Sequence, residues 1–540
     1  MRSIYSLLIR KSNREIPKLS SRKERSFMAI RKKQEPDEYQ KALRKFHKKS
    51  NRHVVVFEAD ISEDEKRRIF SDADHLRQCG NELLGIMERN LEQLLRTKRY
   101  RALQKLYGKV SDPIHALEKK EVLSDEETQK LNHLKKERAE ITNSMNKMRE
   151  SYQVTWDFCR TKMMELKETY HLQSIFALSR AEDIWAAIET ILYSSGRKLH
   201  FKKRGDLPEI RAKQSTRGLV IDSSQSGLIV KYGKVTIPCK YKAKDLWLWD
   251  EEKAILAYLA EPELQDAHAV DQMSKGIIMD TYRPCFASLV CKKIRGRLRV
   301  YVHITVEGKA ISKRRKDNTP RHYYGKGNVG CDIGTQTIAY TSNTEVGLEN
   351  LAERGNSIQH VERQEALILR AMERSRRAMN PNHYNENGTV KKGHKQWNFS
   401  KRYQKLKQRH QELCRIAAEN RALAIREQVN HLRSLGDCFI TEPPNAKKLQ
   451  KRANPENPVD KNGRMKRKKR FGRSIKNRCP GYLQAKAKQL FESTGGMYVE
   501  VPILYRASQY DHTSDSYIPK KLSQRMYHPV SYTHLTLPTT

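Results

Sequence analysis

Asn328-Val-Gly-Cys-Asp-Ile-Gly-Thr-Gln-Thr-Ile-Ala-Tyr-Thr341 reads as an apolar strand, a glycine turn and a second strand. Asp332 stands at the end of the first strand, just before Gly334. Helical spacing follows over about 356–379, then a Gly/Asn-rich loop, then a long helix over about 400–435. Leu406, Leu413, Leu423, Leu432 and Leu435 are expected on its buried side, and Gly436 is placed as its C-terminal stop. Cys438-Phe-Ile-Thr-Glu442 is the next strand, and Glu442 ends it before Pro443-Pro444. Beyond a basic loop, a helix at 480–494 precedes a strand at 497–503. Strands joined by crossover helices make an α/β unit beginning near residue 327.

Carboxylates at strand ends project into the cleft where open α/β sheets bind ligands. A lone Asp near Gly is more often a turn residue, and a lone Glu before Pro more often just ends a strand. Two or three such carboxylates on one sheet can hold a pair of divalent metals for attack on a phosphodiester, and Mg²⁺ suits an all-oxygen site. Asp332 and Glu442 are therefore the candidate catalytic and metal-binding residues.

Working toward the N-terminus, residues 311–326 are a polar, basic connector. Leu298, Val300, Val302, Ile304 and Val306 alternate with Arg299, Tyr301, His303 and Thr305. Together with Cys285–Cys291 they flank a turn containing Gly296. A basic, aromatic outer face suits nucleic acid, but a solvated sheet face is just as common. Gly218–Asp222 and Gly227–Val230 form another hairpin, so residues from about 215 build a small sandwich or barrel. Asp245-Leu-Trp-Leu-Trp249 is read as a strand with Trp247 and Trp249 on one face, to stack bases or to serve packing between domains.

Residues 63 to about 197 are mostly helical. Ser62 with Glu65 and Ser124 with Glu127 are capping boxes, and Leu131, Leu134, Ile141, Met145 and Met148 mark one buried helix face. His53-Val-Val-Val-Phe57 is a short strand. Residues 1–52 carry 17 Lys/Arg against 5 Asp/Glu, a basic arm, and Met28 is an alternative start.

The 540 residues carry a formal net charge of +43, with 37% hydrophobic residues. Such an excess of positive charge calls for a polyanion, and nucleic acid is the commonest. No apolar run reaches the roughly 18 residues of a membrane helix. Nine dispersed cysteines without a Cys-x-x-Cys pair read as reduced thiols in a cytosol-like compartment and argue against a Cys-ligated zinc ribbon. Lys447–Arg478 holds 14 Lys/Arg and 2 Asp/Glu. It is either a solvated loop or a strap over nucleic acid beside Glu442.

Gly330–Ala339 resembles the first motif of a RuvC-like nuclease domain. The basic helix leading to Phe439-Ile-Thr-Glu442, with Asn445–Lys451, resembles the second. Arg470–Ile475, Ala507–Asp511 and Lys520–Arg525 are also similar. The resemblance is to the TnpB-like proteins of insertion sequences, relatives of the type V CRISPR effectors, and covers about 326–527.

It implies a multidomain α+β protein with a helical recognition domain (63–197) inserted in a β-barrel wedge domain (53–62 and 198–325). A RuvC/RNase H-like α/β nuclease domain follows (326–527). It implies a cytoplasmic, nucleoid-associated, RNA-guided DNA endonuclease whose partners are a guide RNA and target DNA. Asp332 and Glu442 match the family's first catalytic Asp and its catalytic Glu, with two Mg²⁺ ions expected in the complete site. Lys447, Lys448, Lys451, Arg452, Lys466, Arg467, Lys468, Lys469 and Arg470 are the expected nucleic-acid contacts.

Two departures stand out. The stretch matching the family's four-Cys zinc ribbon, 507–527, contains no Cys, so no zinc is expected, and Asp511, His512 and Asp515 read as loop residues. The family's third catalytic Asp has no counterpart, because no acidic residue lies beyond Asp515. The tail 528–540 resembles translated adapter sequence, so the expectation is a chain truncated near 527, with two of three carboxylates and little or no cleavage. A non-cleaving nucleic-acid-binding regulator on the same scaffold is the alternative, and an RNA-binding scaffold unrelated to nucleases is the third reading.

Overall fold

The computed structural model describes residues 52–118, 124–194, 196, 198–274, 282–308, 310–352, 358–443, 472–502, 509–511 and 516–517. Strand β1 (Arg52–Ala59) enters a helical region of α1 (Glu63–Arg96), α2 (Lys98–Glu118), α3 (Asp125–Ser151), α4 (Trp156–Thr169) and α5 (Ser174–Tyr193). Both expected capping boxes form: Ser62 with Glu65 opens α1 and Ser124 with Glu127 opens α3, each satisfying two backbone N–H groups reciprocally. Leu83, Met87, Met145, Met163 and Ile188 bury one core among these helices. Leu131 of the expected stripe joins a smaller cluster with Val110 and Ile114.

The chain then builds β2 (Ile210–Arg211), β3 (Leu219–Ser224), β4 (Gly227–Tyr232), β5 (Val235–Lys240), α6 (Leu246–Ala260), α7 (Pro262–Ser274), β6 (Arg283–Ile294) and β7 (Arg297–Glu307). With β1 these strands form a curled antiparallel sheet ordered β2-β6-β7-β1-β5-β4-β3. The β6–β7 hairpin turns on Arg295 and Gly296, both at positive φ (49° and 80°), the geometry of a two-residue primed turn. Val300, Val302, Ile304 and Val306 are fully buried, so the alternation read in the sequence sets the core face. On the other face Arg299 pairs with Glu58 across the sheet, and Lys292 lies over the Tyr301 ring.

Trp247 and Trp249 do not lie on a strand. Asp245 caps α6 by accepting from the Leu248 N–H, and the two indoles diverge around the helix. A period-2 apolar run so short is ambiguous between the two structures, and the cap decides for helix.

The second sheet contains β8 (Asn328–Ile333), β9 (Thr337–Ser342), β10 (Val346–Asn350), β11 (Cys438–Thr441) and β12 (Met497–Glu500), ordered β10-β9-β8-β11-β12. The first three strands are antiparallel, whereas β8, β11 and β12 run parallel. Between them lie α8 (Ile358–Met379), a 3₁₀ turn, α9 (Lys401–Leu435), α10 (Gly472–Arg478) and α11 (Pro480–Ser493). Val329, Cys331, Tyr340 and Phe439 bury one sheet face beneath Ile425, Val429 and Leu432 of α9 and Leu483, Ala487 and Phe491 of α11. A short hairpin, β13 (Tyr510–Asp511) with β14 (Ser516–Tyr517), places Asp511 in a strand and not a loop.

Leu423 is a correction: it is 55% exposed, and the buried stripe of α9 runs instead through Ala424, Ile425, Gln428, Val429, Leu432 and Arg433. Leucine spacing alone placed it one position off the stripe. Gly436 ends α9, but with extended backbone (φ −173°) and not as a left-handed cap. Its role is close approach, since a Cβ there would meet the Gly327 carbonyl oxygen at 2.3 Å. Arg433, only 4% exposed, ties this junction together. It donates to the carbonyls of Gly325 and Gly436, both at 2.9 Å, and to the Thr494 hydroxyl at 2.8 Å.

Because the atom opposing it is backbone, Gly436→Ala is expected to lower the stability of this α/β unit by about 1–3 kcal/mol, the usual range for overpacking. Gly481→Ala, which meets nothing within 4 Å inside α11, is expected to be neutral or slightly stabilising. Paired chemical-denaturation curves of the two variants make the comparison, and equal stabilities would show that the close approach carries no constraint.

Candidate metal centre and basic cleft

β8 and β11 pair in parallel register, Cys438 with Asn328 through Thr441 with Cys331. Continuing that register by one residue sets Asp332 beside Glu442. Cys331 and Thr441 point into the core, so their successors face away from it. The Gln484 side-chain amide of α11 donates to the Glu442 carbonyl at 3.1 Å, and Val501 N–H donates to the Thr441 carbonyl at 3.0 Å, fixing the strand end.

The Asp332 side chain remains open to water, yet protein crowds the carboxyl on its other sides. That loss of hydration raises its pKa above the ordinary carboxylate range. Glu442 is also raised, first by desolvation and then by the negative charge of Asp332. The two carboxyls therefore share one electrostatic environment, and each ionises against a penalty. A divalent cation relieves both penalties at once. Hard oxygen donors, partly dehydrated and mutually repelling, fit Mg²⁺. Among the described residues no third carboxylate adds to the field at either group.

The basic residues expected from sequence, Lys447, Lys448, Lys451, Arg452, Lys466, Arg467, Lys468, Lys469 and Arg470, lie outside the described residues. The described basic surface lies elsewhere. The turn after β5 brings Lys242 and Lys244 against Lys313, Arg315, Lys316 and Arg321, lining a cleft of about 640 Å³. It shares Trp247, Lys313, Arg321 and His322 with an adjoining cleft of about 470 Å³ that reaches Arg426 and Leu423 of α9. Lys313 sits 4.5 Å over the Trp247 ring, whose indole N–H donates to the Ile311 carbonyl at 2.9 Å. Burial depresses the Lys313 pKa; Asp245 opposes that shift, while Arg321 and Arg426 reinforce it. Burial likewise depresses His322, with Arg321, Lys313 and Arg315 adding repulsion. Cations crowded against their own charge form a ready site for phosphate.

The sequence reading treated 311–326 as a connector. The signal was present in Lys313-Arg-Arg-Lys316, but its partners at 242 and 244 are about seventy residues away and only the fold joins them. Arg314 points to a different use, since its guanidinium grips both oxygens of Asp250.

Two measurements test this geometry. Removing the Asp332 charge with Asp332→Asn is expected to lower the Glu442 pKa, read by NMR titration of the side-chain carboxyl; an unchanged value would separate the two groups. Replacing Lys313, Arg315 and Arg321 together by Ala is expected to weaken single-stranded RNA binding. The slope of log K against log salt should then flatten by roughly 0.7 per lost phosphate contact, and an unchanged slope would take the cleft out of the binding surface. Set against models of known protein families and against curated proteins, the chain matches none.

Proposed function

We propose that the chain is an RNA-guided DNA endonuclease of the TnpB kind. On this reading the helices α1–α5 are the recognition domain, the curled sheet is a β-barrel wedge, and the second sheet is a RuvC/RNase H-like nuclease core. The observation that carries the reading is the coupling of Asp332 with Glu442 at the ends of adjacent parallel strands. The basic cleft between α6, the 311–326 segment and α9 supports a polyanionic partner, as does the net charge of +43. The guide RNA contacts this surface through its phosphates, and base pairing reads the DNA target.

In the mechanism, Asp332 and Glu442 are the residues that would hold Mg²⁺, and the ion when bound would supply water activation and charge neutralisation for phosphodiester hydrolysis. The protein's own contribution is positional. The parallel pairing of β8 with β11 sets the spacing of the two carboxylates, and the Gln484 amide anchors the Glu442 backbone. Desolvation on the protein side strengthens their hold on a cation relative to bulk water.

A second reading, a non-cleaving nucleic-acid-binding regulator, is favoured by one observation: among the described residues no third carboxylate acts on the pair. Cleavage of guide-matched DNA in Mg²⁺ or Mn²⁺ separates the two. The endonuclease reading expects Asp332→Ala to reduce cutting by about 10³-fold, the rate equivalent of several kcal/mol of metal stabilisation, while guide RNA binding is unchanged. Wild-type cleavage in Asp332→Ala would remove Asp332 from the metal site. RNA-dependent DNA binding by wild type with no cutting in either metal would overturn cleavage by this chain and favour the regulator.

A further inference from the structure

Away from the carboxylate pair, α8 and α9 run antiparallel and meet along their length, as the hydrogen bond of Ser375 with Ser400 and the approach of Glu365 to His410 require. On α9, His410 and Cys414 are four residues apart and so share one face of the helix. Glu365 of α8 faces them. Its Oε1 lies 3.3 Å from His410 Nε2 and 3.8 Å from Cys414 Sγ, and the Cys414 Sγ to His410 Nε2 distance is 3.6 Å. Among the described residues, the hydrogen-bond and ion-pair partners of these three side chains are one another.

We propose that Glu365, His410 and Cys414 form a binding site for a thiophilic divalent cation of the Zn²⁺ class, which staples α8 to α9.

The distances carry the argument. Tetrahedral zinc with bonds of about 2.0–2.1 Å to N and O and about 2.3 Å to S requires an N–O edge of about 3.3 Å and edges to sulfur of about 3.6 Å. The three observed separations match those edges to within a few tenths of an ångström. An ordinary Glu–His ion pair accounts for the first distance only. It does not place a thiol equally close to both partners.

The charges also balance. A carboxylate, a thiolate and a neutral imidazole carry two negative charges against a divalent ion. Burial and then Glu365 hold the Cys414 thiol above its ordinary pKa, with Lys476 and Arg421 opposing them, so the thiolate forms as the cation displaces the proton. The donor set selects its metal: imidazole and thiolate suit Zn²⁺ and Co²⁺, whereas Mg²⁺ prefers oxygen alone. Cys414 lies at the solvent edge, so a water can take the fourth position and the ion has a way in. The site uses one cysteine and therefore lacks the Cys-x-x-Cys signature of a zinc ribbon. It is independent of the metal assigned to Asp332 and Glu442.

The test is a Co²⁺ titration of metal-stripped full-length protein, followed by absorption. The expected result is a near-ultraviolet thiolate-to-cobalt charge-transfer band that saturates at one equivalent, with visible bands of tetrahedral intensity. Zn²⁺ should abolish them, and excess Mg²⁺ should not. Cys414→Ser, at an exposed position, should fold and lose the charge-transfer band. His410→Ala and Glu365→Ala should weaken Co²⁺ affinity at least about 100-fold, beyond the usual loss for outer-shell groups. Circular dichroism confirms the fold of each variant. Absence of the band in wild type would overturn the proposal. So would its survival in folded Cys414→Ser, which would assign it to another of the nine cysteines.

Discussion

The parallel pairing of β8 with β11 is the constraint on which the candidate chemistry depends. These strands are separated by about a hundred residues of chain, yet their register decides whether Asp332 and Glu442 share a face. A slip of one residue would send one carboxylate into the core and an apolar side chain to the rim. The register is held from below. Gly327 accepts from the N–H groups of both Asp437 and Cys438, and the Asp437 carboxylate accepts from the Gly327 N–H at 2.9 Å. Arg433 then closes the same junction from α9 by donating to three segments of chain. A guanidinium suits this task because its fork of donors is planar and permanently charged. It satisfies carbonyls that would otherwise be buried without partners.

Among the described residues, the positive charge is not spread as a uniform solvated coat. Many described cations are consumed locally. Arg415 bridges Glu412 and Glu419 on α9, Arg211 binds Asp183, and Arg283 meets the buried Glu307. Such pairs add little to stability where exposed, but they remove those charges from any long-range field. The cleft around Lys313 and Arg321 is different. There the cations outnumber the acids, and burial has already stripped part of their water. A phosphate entering it replaces repulsion with attraction and meets groups whose hydration is partly spent.

What the sequence disclosed followed from local physics. A Ser three residues before a Glu marks a helix start wherever it occurs, and both capping boxes formed. Strict alternation from Leu298 to Val306 has one solution in a half-buried sheet. The strand-end carboxylates were legible because glycine and proline punctuate the chain beside them. The misreadings arose where local and tertiary signals compete. Leu-Trp-Leu-Trp alternates like a strand, but a capping Asp and the acidic residues that follow favour helix. Leu423 has the composition of a core residue and the helical phase of a surface one. Gly436 stops the helix as expected, but its neighbour across the fold sets the requirement for glycine. The basic cleft and the Glu365–His410–Cys414 cluster were not legible, since each joins segments that only folding brings together.

These features converge on α9. Its C-terminal half is buried against the sheet through Ile425, Val429 and Leu432, so it moves with the strands that carry Asp332 and Glu442. Its N-terminal half, from Lys405 to Glu419, lines a groove of about 1120 Å³ against the β6–β7 hairpin, where Arg295 approaches Glu412. The same stretch meets α8 through His410 and Cys414, which face Glu365. A helix of 35 residues spans about 50 Å, too long to be held straight by contacts at one end. Bonds to α8 shorten the free length and fix the direction in which the groove opens. The position of any polyanion lying between the hairpin and α9 is thereby referred to the same rigid element that supports the carboxylates. On the proposed reading, a long amphipathic helix held by the sheet at one half and by α8 at the other would refer nucleic acid lying on the curled sheet to the carboxylates of the second sheet.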